Sequence, residues 1–223
     1  MIVGERKSFE EIKEKIKGYE KILLVGCGTC VTVCHSGGEK EVGILAEELR
    51  LAALAESKKL EILEATVERQ CEPEFCEKIK NQIEQAQAVF SMACGCGVGL
   101  ISEIYADKRV YPLLNTTFYG VVSEQGVFKE YCGGCGNCVL DLTAGICPIV
   151  RCSKSLLNGP CGGSTNGKCE VDPDNIDCAW QKIYDQLTKL KMPEKLSQII
   201  PPKDWRTEHG RGPRKMVRED LKI

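Results

Sequence analysis

Fifteen cysteines in 223 residues constrain this chain more than any other feature. An odd number cannot pair completely into internal disulfides. Disulfide scaffolds belong to oxidising compartments and to domains too small to build a core. This chain is 43% hydrophobic, so it has the material for a core. It opens Met1-Ile-Val-Gly-Glu-Arg-Lys-Ser8, without the basic start and apolar stretch of a secretory signal. The expectation is a cytoplasmic protein with reduced thiols, and thiolates are soft metal ligands. The net charge of −2 offers no field for nucleic acid, and no apolar run is long enough for membrane insertion.

The cysteines fall on a readable framework. Ser8-Phe-Glu-Glu11 reads as a capping box opening a helix to about Gly18. Apolar runs at 21–26, 60–67, 88–92 and 110–114 predict four strands. Helical patterns separate them at 39–57, 73–86 (a proline in its first turn) and 98–106. Strands alternating with helices imply βαβ units and a parallel sheet. The fold class expected is therefore α/β, a small doubly wound parallel sheet of flavodoxin or Rossmann type, followed by an irregular cysteine-rich module. Residues 1–115 form the α/β domain in this reading, with 116–129 a bridge that can form a hairpin. Residues 116–192 form the module, in which 131–178 is dense in Gly and Cys and orders only around metal. Asp177 is expected to cap a closing helix to about Lys191. Residues 193–223, with Pro201-Pro202 and the basic run Arg211 to Arg218, read as an extended partner-binding tail with little means of packing on itself.

Cys27, Cys30 and Cys34 follow the first strand, Cys71 and Cys76 the second, and Cys94 and Cys96 the third. In a parallel sheet these strand ends share one edge, where doubly wound folds bind ligands. Cys30, Cys34, Cys71 and Cys94 are the preferred ligands, with Cys27 the main competitor; spacing does not choose four among the five. Cys76 falls within a helix and reads as an ordinary buried cysteine, and Cys96 is the next spare. Gly95-Cys-Gly97-Val-Gly99 lacks the full dinucleotide pattern and its context. His35 reads as a hydrogen-bond donor behind the ligands or as a surface residue.

The second group opens with Cys132-Gly-Gly-Cys135-Gly-Asn-Cys138, with Cys147 as a remote fourth before Pro148. A triplet with a fourth thiol before proline is the ferredoxin arrangement, with a longer final gap, and favours a cubane cluster over zinc. Cys152, Cys161, Cys169 and Cys178 follow, and for them zinc and cluster weigh evenly. Two [4Fe–4S] clusters fit best, a third metal site is open, and one site can take zinc. Cysteine–histidine catalysis is poorly supported, because only His35 and His209 are present.

The stretch from Cys147-Pro-Ile-Val-Arg-Cys152 through Gly159-Pro-Cys161-Gly-Gly, with Gly167-Lys-Cys-Glu170 and Cys178-Ala-Trp180, closely resembles the methylenetetrahydrofolate reductase carboxy-terminal domain family. Gly26-Cys-Gly-Thr-Cys through Cys34, Gly37-Gly38, Arg69-Gln-Cys71 and Ala93-Cys-Gly95 resemble it too, so the likeness covers nearly the whole chain. The resemblance implies the small subunit of a two-subunit methylenetetrahydrofolate reductase in one-carbon metabolism. It would be inactive alone and carry [4Fe–4S] clusters, although the family is often labelled zinc-binding. The implied partner is a TIM-barrel catalytic subunit holding FMN or FAD, with a further electron-donor complex behind it. The alternative is a structural zinc-binding subunit that stabilises or activates the catalytic subunit.

Overall fold

The computed structural model describes residues 1–207 and 214–221. The chain divides into two compact units, Met1–Lys129 and Glu130–Ile223.

The first unit is built on the parallel sheet that the apolar runs predict. Its strands are β2 (Lys21–Cys27), β3 (Glu61–Val67), β4 (Ala88–Met92) and β5 (Arg109–Pro112), following a short strand β1 (Ile2–Arg6). Their spatial order is β3-β2-β4-β5, all parallel, with Val25 opposite Ala65 on one side and Ser91 on the other. Side chains of β2 alternate between the two faces, so both faces of a buried strand must be apolar. Ile22 and Leu24 pack beneath Ile12 and Ile16 of α1 (Phe9–Ile16) and Val42, Leu45 and Leu49 of α3 (Glu39–Ala55). A four-residue helical turn, α2 (Cys30–Val33), precedes α3. Leu23 and Val25 face the other layer, α4 (Pro73–Glu77), α5 (Lys80–Gln85) and α6 (Gly95–Ile104), through Phe75, Ile79, Ile83 and Ile101. This is a doubly wound α/β arrangement.

Several local expectations shift. Ser8 accepts the Glu11 N–H at 3.2 Å, but the Glu11 carboxylate pairs with Lys7 and Lys15. The single helix expected over 73–86 breaks where Ile79 leaves the helical region (φ −108°, ψ 11°). α6 begins at Gly95 rather than Val98, with Cys94 as its N-cap, because Gly95, Gly97 and Gly99 hide a helical turn behind poor propensity. β1 has no counterpart in the sequence reading. It pairs antiparallel with β6 (Leu114–Glu124), Ile2 opposite Tyr119, and β6 continues into β7 (Val127–Cys132) as a hairpin. This small sheet covers Cys27, Val31, Cys34 and Ala93 with Val3, Leu114, Phe118 and Phe128.

The second unit is mostly irregular. Its regular pieces are α7 (Pro148–Arg151), the hairpin strands β8 (Lys168–Cys169) and β9 (Asp172–Asp177), and α8 (Ala179–Lys189). The core consists of Trp180, Ile183 and Leu187 from α8, packed by Ala144, Ile146, Cys152 and Cys178. The helix cap is Cys178, not Asp177. The Asp177 carboxylate is taken instead by Lys168 and Lys182, each at 2.7 Å, which ties the hairpin to the helix and holds that carboxyl well below its ordinary range.

Part of the expected loose tail packs on its own unit. Asn158 accepts the Ile200 N–H and donates to the Ile200 carbonyl, both at 2.8 Å, and Ile200 and Lys203 are buried. Residues 208–213, which include the start of the basic run, lie outside the described residues.

Candidate metal centres

The strand order places the topological switch point between β2 and β4, where successive crossovers leave in opposite directions. Cys27 ends β2 and Cys94 follows β4, so the two flank that crevice; Cys71 arrives from the end of β3. The parallel register brings them to one edge, with Cys27 opposite Val67 and Gly26 opposite Met92. Cys71 is open to solvent on one side, yet partial burial pushes its thiol up, and the fields of Cys27 and Cys94 add to the rise. Cys96, in the first turn of α6, is pushed up by burial and then by the charge and hydrogen bond of Cys94. The helix start puts this expected spare beside the gathered thiols. Cys76 is fully buried and donates to the Gln70 carbonyl at 3.4 Å; burial dominates its raised pKa, with Cys71 and Cys27 next.

The other two preferred ligands are placed differently. Cys30 begins α2 and is half-buried. Cys34 is buried and turned toward β1: its thiol stands 3.1 Å from the Ser36 hydroxyl and 3.7 Å from the Gly4 carbonyl. His35, exposed, follows in a left-handed conformation (φ 54°).

In the second unit Cys132 and Cys138 are exposed, and Cys135 and Cys147 are half-buried. Cys147 caps α7. Gly134 and Gly136 adopt φ of 64° and 77°, a region that glycine enters without steric cost. That conformation lets the Gly134 N–H donate to Cys132 Sγ at 3.4 Å. Gly163 N–H donates likewise to Cys161 Sγ at 3.5 Å. Cys152, Cys161, Cys169 and Cys178 line a single small cavity of about 20 Å³ beside Trp180. The Ser153 hydroxyl, at 3.4 Å, lowers the Cys169 thiol pKa, helped by the Val171 backbone. Glu170 lies 3.6 Å from Cys161 Sγ and is held ionised mainly by Lys154.

Among the described residues, none of the cysteines is in a disulfide, and no three His, Cys, Asp or Glu side chains stand in a ready metal-holding arrangement. The thiols are gathered without being closed around a point. Their chemistry nevertheless fits a metal. Neighbouring thiols oppose one another's ionisation, as at Cys71 and Cys96, and a bound cation is what relieves that opposition. Cys27, Cys71 and Cys94, with Cys96 adjacent, would hold it at the sheet edge. Cys152, Cys161, Cys169 and Cys178 would hold it beside α8. In the sequence Gln70 appears only within Arg69-Gln-Cys71 of the family resemblance and is given no role of its own, since a lone glutamine next to a cysteine carries no periodic or spacing signal.

No helix among the described residues is long and apolar enough to cross a membrane. No curated protein and no solved structure matches the chain significantly. Residues 111–206, running from the end of β5 through the hairpin, both cysteine groups of the second unit and α8, match the family described as methylene-tetrahydrofolate reductase C terminal.

Proposed function

We propose that this chain is the iron–sulfur electron-transfer subunit of a methylenetetrahydrofolate reductase, working with a separate flavin-bearing catalytic subunit. The observation that carries this reading is the delivery of thiols from three strand ends to the switch-point edge of the sheet. A glycine-shaped loop in the second unit adds a backbone N–H donor aimed at sulfur. Cluster centres supply one-electron steps at potentials set by ligand charge, burial and hydrogen bonds to sulfur. Two such electrons, with two protons, reduce the methylene group of the folate to methyl at the partner's flavin.

The chain's own residues have definite tasks in this scheme. Cys132, Cys135 and Cys138, with Cys147, would hold one centre in a loop open to solvent, where a donor or acceptor can approach. The Gly134 N–H draws charge from Cys132 Sγ, which raises the potential of a centre bound there. Cys27, Cys71 and Cys94, with Cys30, Cys34 or Cys96 as the fourth candidate, would hold a second centre.

A second reading applies to Cys152, Cys161, Cys169 and Cys178 alone. These four thiols line one cavity beside Trp180 and lack the closely spaced triplet that favours a cubane at Cys132, Cys135 and Cys138. Zinc held tetrahedrally by these four thiolates would serve there as a structural staple.

Purified without oxygen, the protein is expected to be brown, with acid-labile sulfide, a visible band that dithionite bleaches, and zinc at no more than one ion per chain. Cys135→Ser is expected to remove roughly one cluster's worth of iron from the total. A colourless protein carrying zinc alone would sink the electron-transfer reading and leave the structural one.

A further inference from the structure

Gln70 is a polar side chain at the sheet edge with none of its surface exposed. Its amide is saturated on the donor side. Nε2 donates to the Val25 carbonyl at 3.0 Å and to the Gly26 carbonyl at 2.9 Å. Oε1 accepts from the Ser91 hydroxyl at 2.6 Å, and Ser91 is itself fully buried. The Ser91 oxygen then accepts the Ala93 N–H at 3.3 Å. The amide can be oriented only one way, because two carbonyl oxygens face its nitrogen and a hydroxyl faces its oxygen.

Each of these bonds ends close to a thiol in the chain. Gly26 precedes Cys27, Ala93 precedes Cys94, and Gln70 itself precedes Cys71. Two further contacts extend the pattern. The Gln70 carbonyl accepts from Cys76 Sγ, and a Cβ on Gly97, next to Cys96, would lie 2.7 Å from Gln70 Cβ. One buried side chain thus spans the ends of β2 and β4, carries the connection from β3, and seats the first turn of α6.

We propose that Gln70 is a positioning residue that sets the mutual spacing of the Cys27, Cys71 and Cys94 thiols, and so the retention and electronic character of the metal centre they hold. The inference rests on the reading that these thiols bind metal. The amide is matched to this task in a way that other residues are not. A glutamate would turn a carboxylate oxygen toward two carbonyls, and a methionine of similar volume would make none of the three bonds that the amide makes to Val25, Gly26 and Ser91. Metal sites depend on neighbouring hydrogen bonds that orient their ligands, and losing such a partner commonly costs about 10–100-fold in metal affinity.

The test uses the full-length protein, purified and reconstituted anaerobically with iron and sulfide, as wild type, Cys71→Ser, Gln70→Met and Ser91→Ala. The difference between wild type and Cys71→Ser in iron content and in the reduced-state electron paramagnetic resonance spectrum defines the sheet-edge signal. Gln70→Met is expected to shift or lose that same signal and to release its iron to a chelator about 10-fold faster or more. The remaining signal, from the second unit, should be unchanged. Ser91→Ala keeps the amide donors and removes only the hydroxyl link, so about 3-fold faster release is expected. This variant decides the matter if Gln70→Met fails to fold. If Cys71→Ser leaves iron content and spectrum untouched, the metal reading of this edge fails and the proposal with it. If Cys71→Ser loses the signal while Gln70→Met, or Ser91→Ala in its place, matches wild type in spectrum and release rate, the proposal alone is overturned.

Discussion

Stripped of metal by a chelator under anaerobic conditions, the Glu130–Ile223 unit is expected to lose its fold while Met1–Lys129 keeps its own. The asymmetry comes from the two cores. The first unit buries apolar residues on both faces of a four-stranded sheet, with Leu23, Leu24, Leu45, Ile83, Phe90 and Ile101 all fully enclosed. The core of the second unit is essentially Trp180, Ile183 and Leu187 on one helix. Burying an apolar side chain of that size contributes about 1.5–3 kcal/mol. Ordering each residue of the irregular segment costs about 1–2 kcal/mol in backbone entropy. Three side chains are few for a unit of this length, so metal–thiolate bonds have to supply part of what orders it. Trp180 is almost buried, donates its indole N–H to the Leu156 carbonyl at 2.9 Å and lines the cavity shared by Cys152, Cys161, Cys169 and Cys178. Its emission should therefore move to the red on chelation, and limited proteolysis should cut within 130–223 and spare 1–129. Protection that persists over the whole chain after complete metal removal would refute the metal-dependent fold. Cys152→Ser and Cys178→Ser should reproduce the effect of chelation without a chelator, since each removes a proposed ligand and both side chains also pack on the helix core.

Gly37→Ala is expected to lower the stability of the first unit by roughly 3 kcal/mol or more, at the severe end of overpacking. A Cβ on Gly37 would lie 1.9 Å from the Met92 carbonyl oxygen and 2.9 Å from its carbon. Both are backbone atoms at the end of β4, so no side chain can swing aside to make room. The Gly37 carbonyl also accepts the Cys27 N–H at 2.9 Å, which places its backbone across the end of β2. The substitution therefore drives apart the two strand ends that carry Cys27 and Cys94. For a domain of this size the midpoint of thermal unfolding should fall by about 10 °C or more. Gly99→Ala is the matched control. It lies inside α6 with nothing within 4 Å of a new Cβ, so the change should be neutral or stabilise by about 0.4–1 kcal/mol. Equal thermal midpoints for the two variants would show that the close approach at Gly37 is not a constraint on the fold.

The candidate sites were legible to different depths. Cysteines just after apolar runs could be read as strand-end residues because a parallel strand buried on both faces is a continuous apolar word in the sequence. Lys21–Cys27 and Ala88–Met92 are such words, and the strands lie there. Which thiols stand together was not readable. Cys34 and Cys27 look equivalent in the spacing, but the Cys34 thiol lies against Ser36 and the Gly4 carbonyl, whereas the Cys27 thiol acts on Cys71. Cys96 reads as spare because three glycines mask the start of α6. The grouping of Cys152, Cys161, Cys169 and Cys178 around one cavity comes from the β8–β9 hairpin and its ties to α8 through Asp177, and a two-residue strand leaves no periodic trace.

The sequence by itself determined the parallel sheet, the order of its strands along the chain, and the edge at which cysteines accumulate. Those follow from local burial patterns and from the rule that parallel strands end on one side. Only the tertiary structure decided three other matters: the pairing of β1 with β6 across most of the first unit, the single amide of Gln70 that spans three strand ends, and which of the fifteen cysteines face one another. Each depends on residues far apart in the chain meeting in one place. A contact of that kind is set by how whole layers pack, and the residues near it in sequence carry no record of it.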